Sequence, residues 1–244
     1  MIKDLLILGL DAVEFSKRLG IIPDEWQERA LRWSGKRLIL NCSRQSGKST
    51  VASILALHRA LFYPKNLILL ISPSLRQSSE LFRRVLDLLD KIKLKPKLVE
   101  ENRLSFKLSN KSRIVSLPST EETIRGFSGV NLIIEDEASR VDDELYYAVR
   151  PMLAVSGGRL LLTSTPFGKR GHFYKEWEDR EFEKIKITAN ECPRISKEFL
   201  EEEKKSLGDF YFRQEYLCEF EDIEGVVFQS FLDQDLYSED FKSL

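Results

Sequence analysis

Cysteine is scarce in this 244-residue chain, with three copies, Cys42, Cys192 and Cys218. Three scattered cysteines make neither a disulfide framework nor a zinc spacing, so a reducing compartment is expected. Excess charge is also missing: 38 Lys and Arg stand against 39 Asp and Glu, a net charge of −1. A globally basic nucleic-acid binder is thereby excluded, and any DNA contact must come from a local patch or from assembly. No apolar run approaches the ~20 residues that span a bilayer. Leu5 to Leu10 is apolar, but Asp4 and Asp11 flank it, and it is too short and too acidic for a signal peptide. There is no internal repeat and no low-complexity tract. A chain of this length buries roughly 70–75% of its unfolded surface, which suits one large domain with at most a small appendage.

What is present is organised around Cys42 to Thr50, CSRQSGKST. Phosphate-binding loops read Gly, any four residues, then Gly-Lys-Ser/Thr. Gly47, Lys48 and Ser49 fill the second half, and Cys42 stands where the first glycine is expected. Gly47 lets the backbone turn tightly against an anion. The loop Ser43, Arg44, Gln45, Ser46 is expected to aim the amides from Gln45 to Ser49 inward, ahead of a helix N-terminus. Lys48 is a compact donor for the β- and γ-phosphates of ATP. Ser49 offers its hydroxyl to Mg²⁺, with Thr50 as a substitute. The flanks fit: Leu38-Ile39-Leu40 reads as a buried strand, and Val51, Ile54, Leu55 and Leu61 recur at helical spacing.

The second signal is Leu132 to Ala138, LIIEDEA. An apolar strand that ends in Asp136-Glu137 places two carboxylates at its C-terminal mouth, where open α/β sheets bind ligands. Asp136 is expected to hold Mg²⁺, and Glu137 to polarise the attacking water as general base. The plain alternative is a strand followed by an acidic turn. Arg140 follows, within reach of the γ-phosphate of its own site or of a neighbour's, unless it only pairs with Asp142 or Asp143. Arg44 is the other candidate finger, acting within its own loop. Arg159 to Thr163 is a further buried strand running into Thr163-Ser164-Thr165-Pro166. Such a polar strand end can sense the γ-phosphate and pass its state on, or simply cap the strand.

The remaining chain supplies the frame. Ile2 to Leu19 reads as one amphipathic helix, and another is expected to start near Pro23. Trp26 and Gln27 lie just upstream of the loop; a glutamine amide can read an adenine edge and an aromatic can pack beside it, or the pair is a core Trp beside a surface Gln. Leu67 to Ile71 reads as a buried strand, followed by a helix carrying Leu81, Phe82, Val85, Leu88, Leu89 and Ile92 inward. From Leu98 to Leu117 the period changes to two, predicting short antiparallel strands at the sheet edge. Arg76, Arg83 and Arg84, with Arg103 and Arg125, are the candidate DNA contacts, the alternative being a solvated helix face and structural salt bridges. A helix is expected from Asp142 to Met152, a last strand from Phe182 to Thr188, and a helix from Ser196 with Phe199-Leu200 inward, stopped by Gly208. Gly225 to Leu244 reads as a linker or docking segment. The expected division is a core over 1–190 and a lid with linker over 191–244.

In their order, these motifs resemble the ATPase domain of viral large terminases, the motors that package double-stranded DNA into procapsids. Trp26-Gln27 looks like the family's adenine motif, and SRQSGKS at 43–49 like its deviant phosphate loop, with Arg44 in place. Arg125-Gly126 ahead of the acidic strand is similar too. TSTPFG at 163–168 resembles the coupling motif, and FRQEY at 212–216 with Glu219-Phe220 the end of the ATPase region. The resemblance implies an α/β, RecA-like three-layer sandwich with a mostly parallel sheet, antiparallel edge strands and a small C-terminal helical lid. It implies Mg-ATP hydrolysis coupled to translocation of duplex DNA in the cytoplasm of an infected host cell. A portal protein, a small terminase subunit and a pentameric ring of copies, monomeric in isolation, are the implied partners. Family members carry a C-terminal RNase H-like nuclease domain; the residues beyond the resemblance are too few for one, and Asp233 and Asp235 are too isolated for a two-metal site. Two other readings are a helicase-type DNA-dependent ATPase and a nucleotide-dependent assembly module with little turnover. The module would have no need of Glu137.

Overall fold

The structure, a computed structural model, describes residues 2–93, 95–119 and 126–222. Arg125, Asp233, Asp235 and the tail from Gly225 lie outside the described residues. Eight strands make one sheet: β1 (Arg37–Cys42), β2 (Leu67–Ser72), β3 (Leu98–Asn102), β4 (Ser105–Leu108), β5 (Arg113–Pro118), β6 (Leu132–Asp136), β7 (Arg159–Ser164) and β8 (Glu183–Ile187). Their order is β3-β4-β5-β2-β6-β7-β1-β8. The six strands from β5 to β8 in that order are parallel, and β3 and β4 add an antiparallel hairpin to β5. The inner strands are covered on both faces, which is why they read as unbroken apolar runs.

On one face, α2 (Ala12–Arg18), α3 (Glu25–Leu31), α4 (Lys48–Phe62) and α5 (Leu75–Asp90) pack with Leu38, Leu40, Ile68, Leu70, Leu132 and Ile134. On the other, α6 (Asp143–Val149) and α7 (Gly171–Glu178) meet Ile39, Leu69, Ile133 and Leu162. Alternation along each strand divides these two sets. The last helix, α8 (Lys197–Tyr216), forms a separate small core with Ala189, Leu200, Phe212 and Tyr216.

Several expectations are corrected. The first helix is two, α1 (Ile2–Leu10) and α2, because Asp11 leaves the helix and its carboxylate caps Val13 N at 2.8 Å. The stretch expected as one helix to Met152 ends at Val149 and tightens into a 3₁₀ turn, Arg150–Leu153, at Pro151. The edge strand at Arg113 runs parallel to β2. Gly208 takes φ 75° and kinks α8, which resumes to Tyr216. Leu200 is buried, but Phe199 is exposed. Helix α7 had no counterpart in the sequence reading.

Candidate functional site

The loop from β1 to α4 is shaped by two left-handed residues. Gly47, at φ 99°, caps α4, and a Cβ there would meet Gln27 Nε2 at 2.6 Å, so glycine is required twice over. Gln45, at φ 58°, makes the other turn. Cys42, in the place of the missing glycine, is a fully buried end of β1, so the special backbone is needed only from Gln45 onward. The amides of Gln45, Gly47, Lys48 and Ser49 are engaged by no other described residue, as an anion nest at a helix N-terminus requires. The loop is braced from outside: Ser46 O accepts from Gln27 Nε2 at 3.3 Å and from Arg194 Nη2 at 2.7 Å. Asp24 holds Arg194 at 2.7 Å, and Gln27 Oε1 accepts from Asp24 N at 3.0 Å. Inside the loop, Ser46 Oγ donates to Ser43 O at 2.8 Å.

The carboxylates arrive from β6. Ser49 Oγ donates to Asp136 Oδ2 at 3.1 Å, and Lys48 Nζ lies 3.2 Å from Glu137 Oε1. Asp136 Oδ1 is buried without a partner among the described residues. Burial and the neighbouring charge of Glu137 push the Asp136 carboxyl up to about 6. A hydroxyl beside an orphaned carboxylate oxygen is a hard-oxygen donor set, and it fits Mg²⁺. Glu137 sits at φ 54°, a turn that ends the strand and returns its side chain towards Lys48. Ser164 Oγ donates to Glu137 Oε2 at 3.4 Å and lies 2.7 Å from Ser139 Oγ. Thr163 pairs in register with Asp136 across the β6–β7 ladder, and its hydroxyl has no partner among the described residues. Thr165 is buried beside them.

Both candidate arginines meet one carboxylate on α8. Arg44 Nε donates to Glu215 Oε2 at 2.6 Å, and Arg140 Nη2 to Glu215 Oε1 at 3.3 Å. Arg140 Nη1 also lies 3.9 Å from Glu137 Oε2, and its guanidinium sits 4.7 Å from the centre of the Phe167 ring. Burial alone would raise the Glu215 carboxyl, but the two arginines outweigh it and hold it below its ordinary value. Arg140 therefore faces its own site in this chain and pairs with neither Asp142 nor Asp143.

Other expected residues fall elsewhere. Trp26 is packed in the main core at 5% exposure, not open to a base, because it lies on the inward face of α3. Gln27 is likewise buried, with its amide spent on the α3 cap and the loop. Ser49, rather than Thr50, meets Asp136. Arg76, Arg84 and Arg103 are exposed without an ion-pair partner among the described residues, whereas Arg83 pairs with Glu80. Two participants went unassigned in the sequence reading. Glu215 lies inside the quoted FRQEY, which was its only signal. Arg194 had none, being 148 residues from the carbonyl it braces.

Comparison with known proteins agrees with this geometry. Residues 39–234 match the family described as terminase large subunit, T4likevirus-type, N-terminal. The large terminase of Escherichia phage T5 is 27% identical over 206 residues, covering 80% of this chain and 46% of that protein. That of Thermus phage G20c is 24% identical, covering 88% and 52%. The chain thus spans about half the length of the curated relatives it matches. Among solved structures, the large terminase ATPase domain of Thermus phage P74-26 superposes with a TM-score of 0.76 at 23% identity, covering 85% of this chain and 98% of that one. A large terminase from another thermophilic bacteriophage superposes with a TM-score of 0.66 at 15% identity, covering 80% and 53%. These likenesses give the RecA-like fold. The family match runs through the phosphate loop, both carboxylates and Glu215, and on that ground the chain belongs to the N-terminal family of terminase large subunits.

Proposed function

We propose that this domain hydrolyses Mg-ATP and couples the cycle to translocation of double-stranded DNA into a viral procapsid. The observation that carries the reading is the convergence of Lys48, Ser49, Asp136 and Glu137 at the end of a free-amide loop. The second of the two terminases compared above, a relative in fold, has been solved with ADP and with ATPγS.

The roles follow from the contacts. The free amides of the loop and Lys48 bind the β- and γ-phosphates. Ser49 and Asp136 would hold Mg²⁺, which when bound neutralises charge on the phosphate oxygens. Glu137 takes a proton from the attacking water, and Lys48 at 3.2 Å keeps it ionised in the meantime. Arg44 and Arg140 supply further positive charge to the transition state once they leave Glu215. Ser164 bridges Glu137 and Ser139, so Thr163 to Thr165 register changes at the γ-phosphate. Gln27 supports the loop and leaves base recognition to other groups. Residues 1–190 act as the motor core and 191–244 as lid and linker. The portal, the small terminase subunit and a pentameric ring in the host cytoplasm are the proposed setting; among the described residues no helix is long and apolar enough to cross a membrane.

The test is Mg²⁺-dependent ATP turnover at rising protein concentration, with and without duplex DNA, against Lys48→Ala. Removing a charge-assisted phosphate contact costs about 1.5–3 kcal/mol, so the variant should neither bind ATP well nor turn it over. Parental binding and turnover by Lys48→Ala would overturn the assignment.

A further inference from the structure

The inner strands of the sheet are apolar on both faces except at one position. Glu135, in the middle of the sheet, is fully buried and points away from Asp136, among Ile133, Leu162 and the other residues under α6 and α7. An unsupported carboxylate there costs several kcal/mol, and an apolar residue would serve packing better.

Its partner is His172, on the first turn of α7 and 1% exposed. Nε2 lies 2.7 Å from Glu135 Oε1, a short contact that is poorly aligned for a hydrogen bond, and Glu135 Oε2 has no partner among the described residues. On its other side, Nδ1 lies 3.2 Å from Asp143 Oδ1, at the start of α6, and the same oxygen accepts from His172 N at 2.6 Å. The ring stacks on Tyr146 of α6 at 4.2 Å. Tyr146 donates to Glu176 of α7 at 2.6 Å, and Arg150 donates to the same oxygen at 3.1 Å. Burial opposes a charged imidazole, but Glu135 and Asp143 outweigh it and raise the His172 pKa above its ordinary value.

The connectivity gives this pair its meaning. Glu135 is next in the chain to Asp136 and two residues from Glu137. Helix α7 follows directly on Thr163 to Gly168, and α6 on the turn that carries Arg140. One buried contact thus joins the strand bearing both carboxylates to the element leaving the coupling segment. We infer that Glu135 and His172 are positioning residues, a buried pair that fixes Asp136 and Glu137 for hydrolysis and transmits displacement of α7 to them.

This rests on the ATPase reading, and the test separates the two. Replacing a buried ion pair by apolar residues is often neutral or stabilising, so Glu135→Leu/His172→Leu should melt no lower than the parent. Its kcat should nonetheless fall roughly tenfold to a hundredfold, the scale of an ångström-sized misplacement, with KM for ATP nearly unchanged. Glu135→Gln, which keeps the shape and loses the charge, should show the same split. In a Glu137→Gln background it should cost nothing more, because it acts through Glu137. A paired apolar variant that melts like the parent and keeps parental kcat makes the pair purely structural and overturns the inference. If that variant does not fold, parental kcat in Glu135→Gln, or a full multiplicative loss in the Glu137→Gln background, overturns it equally. A parent no faster than Lys48→Ala would instead sink the ATPase reading itself.

Discussion

The two ends of the sheet treat charge in opposite ways. Around β1, β6 and β7 every functional cation has an anion on the same chain: Lys48 has Glu137, and Arg44 and Arg140 share Glu215. At the β3–β5 end, Arg76, Arg84 and Arg103 stand exposed with no such partner among the described residues. Charges that do chemistry must be held to within a fraction of an ångström, and a counter-charge holds them while lowering the cost of burial. Charges that meet a polyanion work best uncommitted, because their gain comes from releasing the counterions of the nucleic acid. Paired and unpaired cations therefore separate a catalytic region from a tracking surface in a protein whose net charge is near zero.

The largest effect expected at the paired end is that of Arg140. A finger arginine is worth roughly 10³–10⁵ in turnover, so Arg140→Ala should be nearly inactive while still binding ATP. Its position on its own Glu215 makes the direction of its action the sharper question. Mixtures of Arg140→Ala with Glu137→Ala should recover activity if the arginine serves a neighbour, since some interfaces then join an intact arginine to an intact base. Mixtures that co-assemble without recovery would assign Arg140 to its own subunit, beside Arg44.

Next come the carboxylates, whose roles should divide. Glu137→Ala should keep Mg-ATP binding and lose about 10²–10⁴-fold in turnover, the contribution of a general base. Asp136→Ala should instead weaken metal-dependent nucleotide binding. Equilibrium binding measured beside turnover tells these apart, and identical behaviour of the two variants in both assays would end the division of labour.

What was legible in the sequence was what is local. The phosphate loop is a continuous strand-turn-helix, and the acidic strand carries both carboxylates at its end, so one short run of residues sufficed for each. Helix α7 was not legible, because its eight residues, GHFYKEWE, open on glycine and bury only His172, Phe173 and Glu176. Trp26 was misplaced because proximity in sequence to the loop says nothing about which face of α3 it occupies. Glu215 lies 171 residues from Arg44, and no spacing rule spans that distance; only the sheet, which sets α8 across the loop, brings them together. The break at Asp11 turns on a single side-chain cap that periodicity does not register.

The smallest expected effect tests the unpaired end, and the fold makes it unequal among the arginines. Ser116 N, near the C-terminal end of β5, donates to Leu104 O, so the hairpin turn carrying Arg103 lies at the same sheet edge as the phosphate loop. Arg76, in the first turn of α5 just past the end of β2, shares that edge. Arg84 lies two turns further along α5, and Arg83 is already held by Glu80. Each phosphate contact removed should lower the slope of log K against log salt by about one. Arg76→Ala and Arg103→Ala should each do so for duplex DNA measured by anisotropy across salt, and Arg83→Ala should do less, because its charge is partly satisfied within the chain. Affinity should fall uniformly across sequences, since phosphate contacts carry no base information. A flat salt dependence in the parent, or slopes unchanged in all of these variants, would remove this surface from the DNA path. Equal losses at Arg83 and Arg76 would show that an exposed pair to glutamate does not withhold an arginine from DNA, and pairing would then no longer mark where the tracking surface ends.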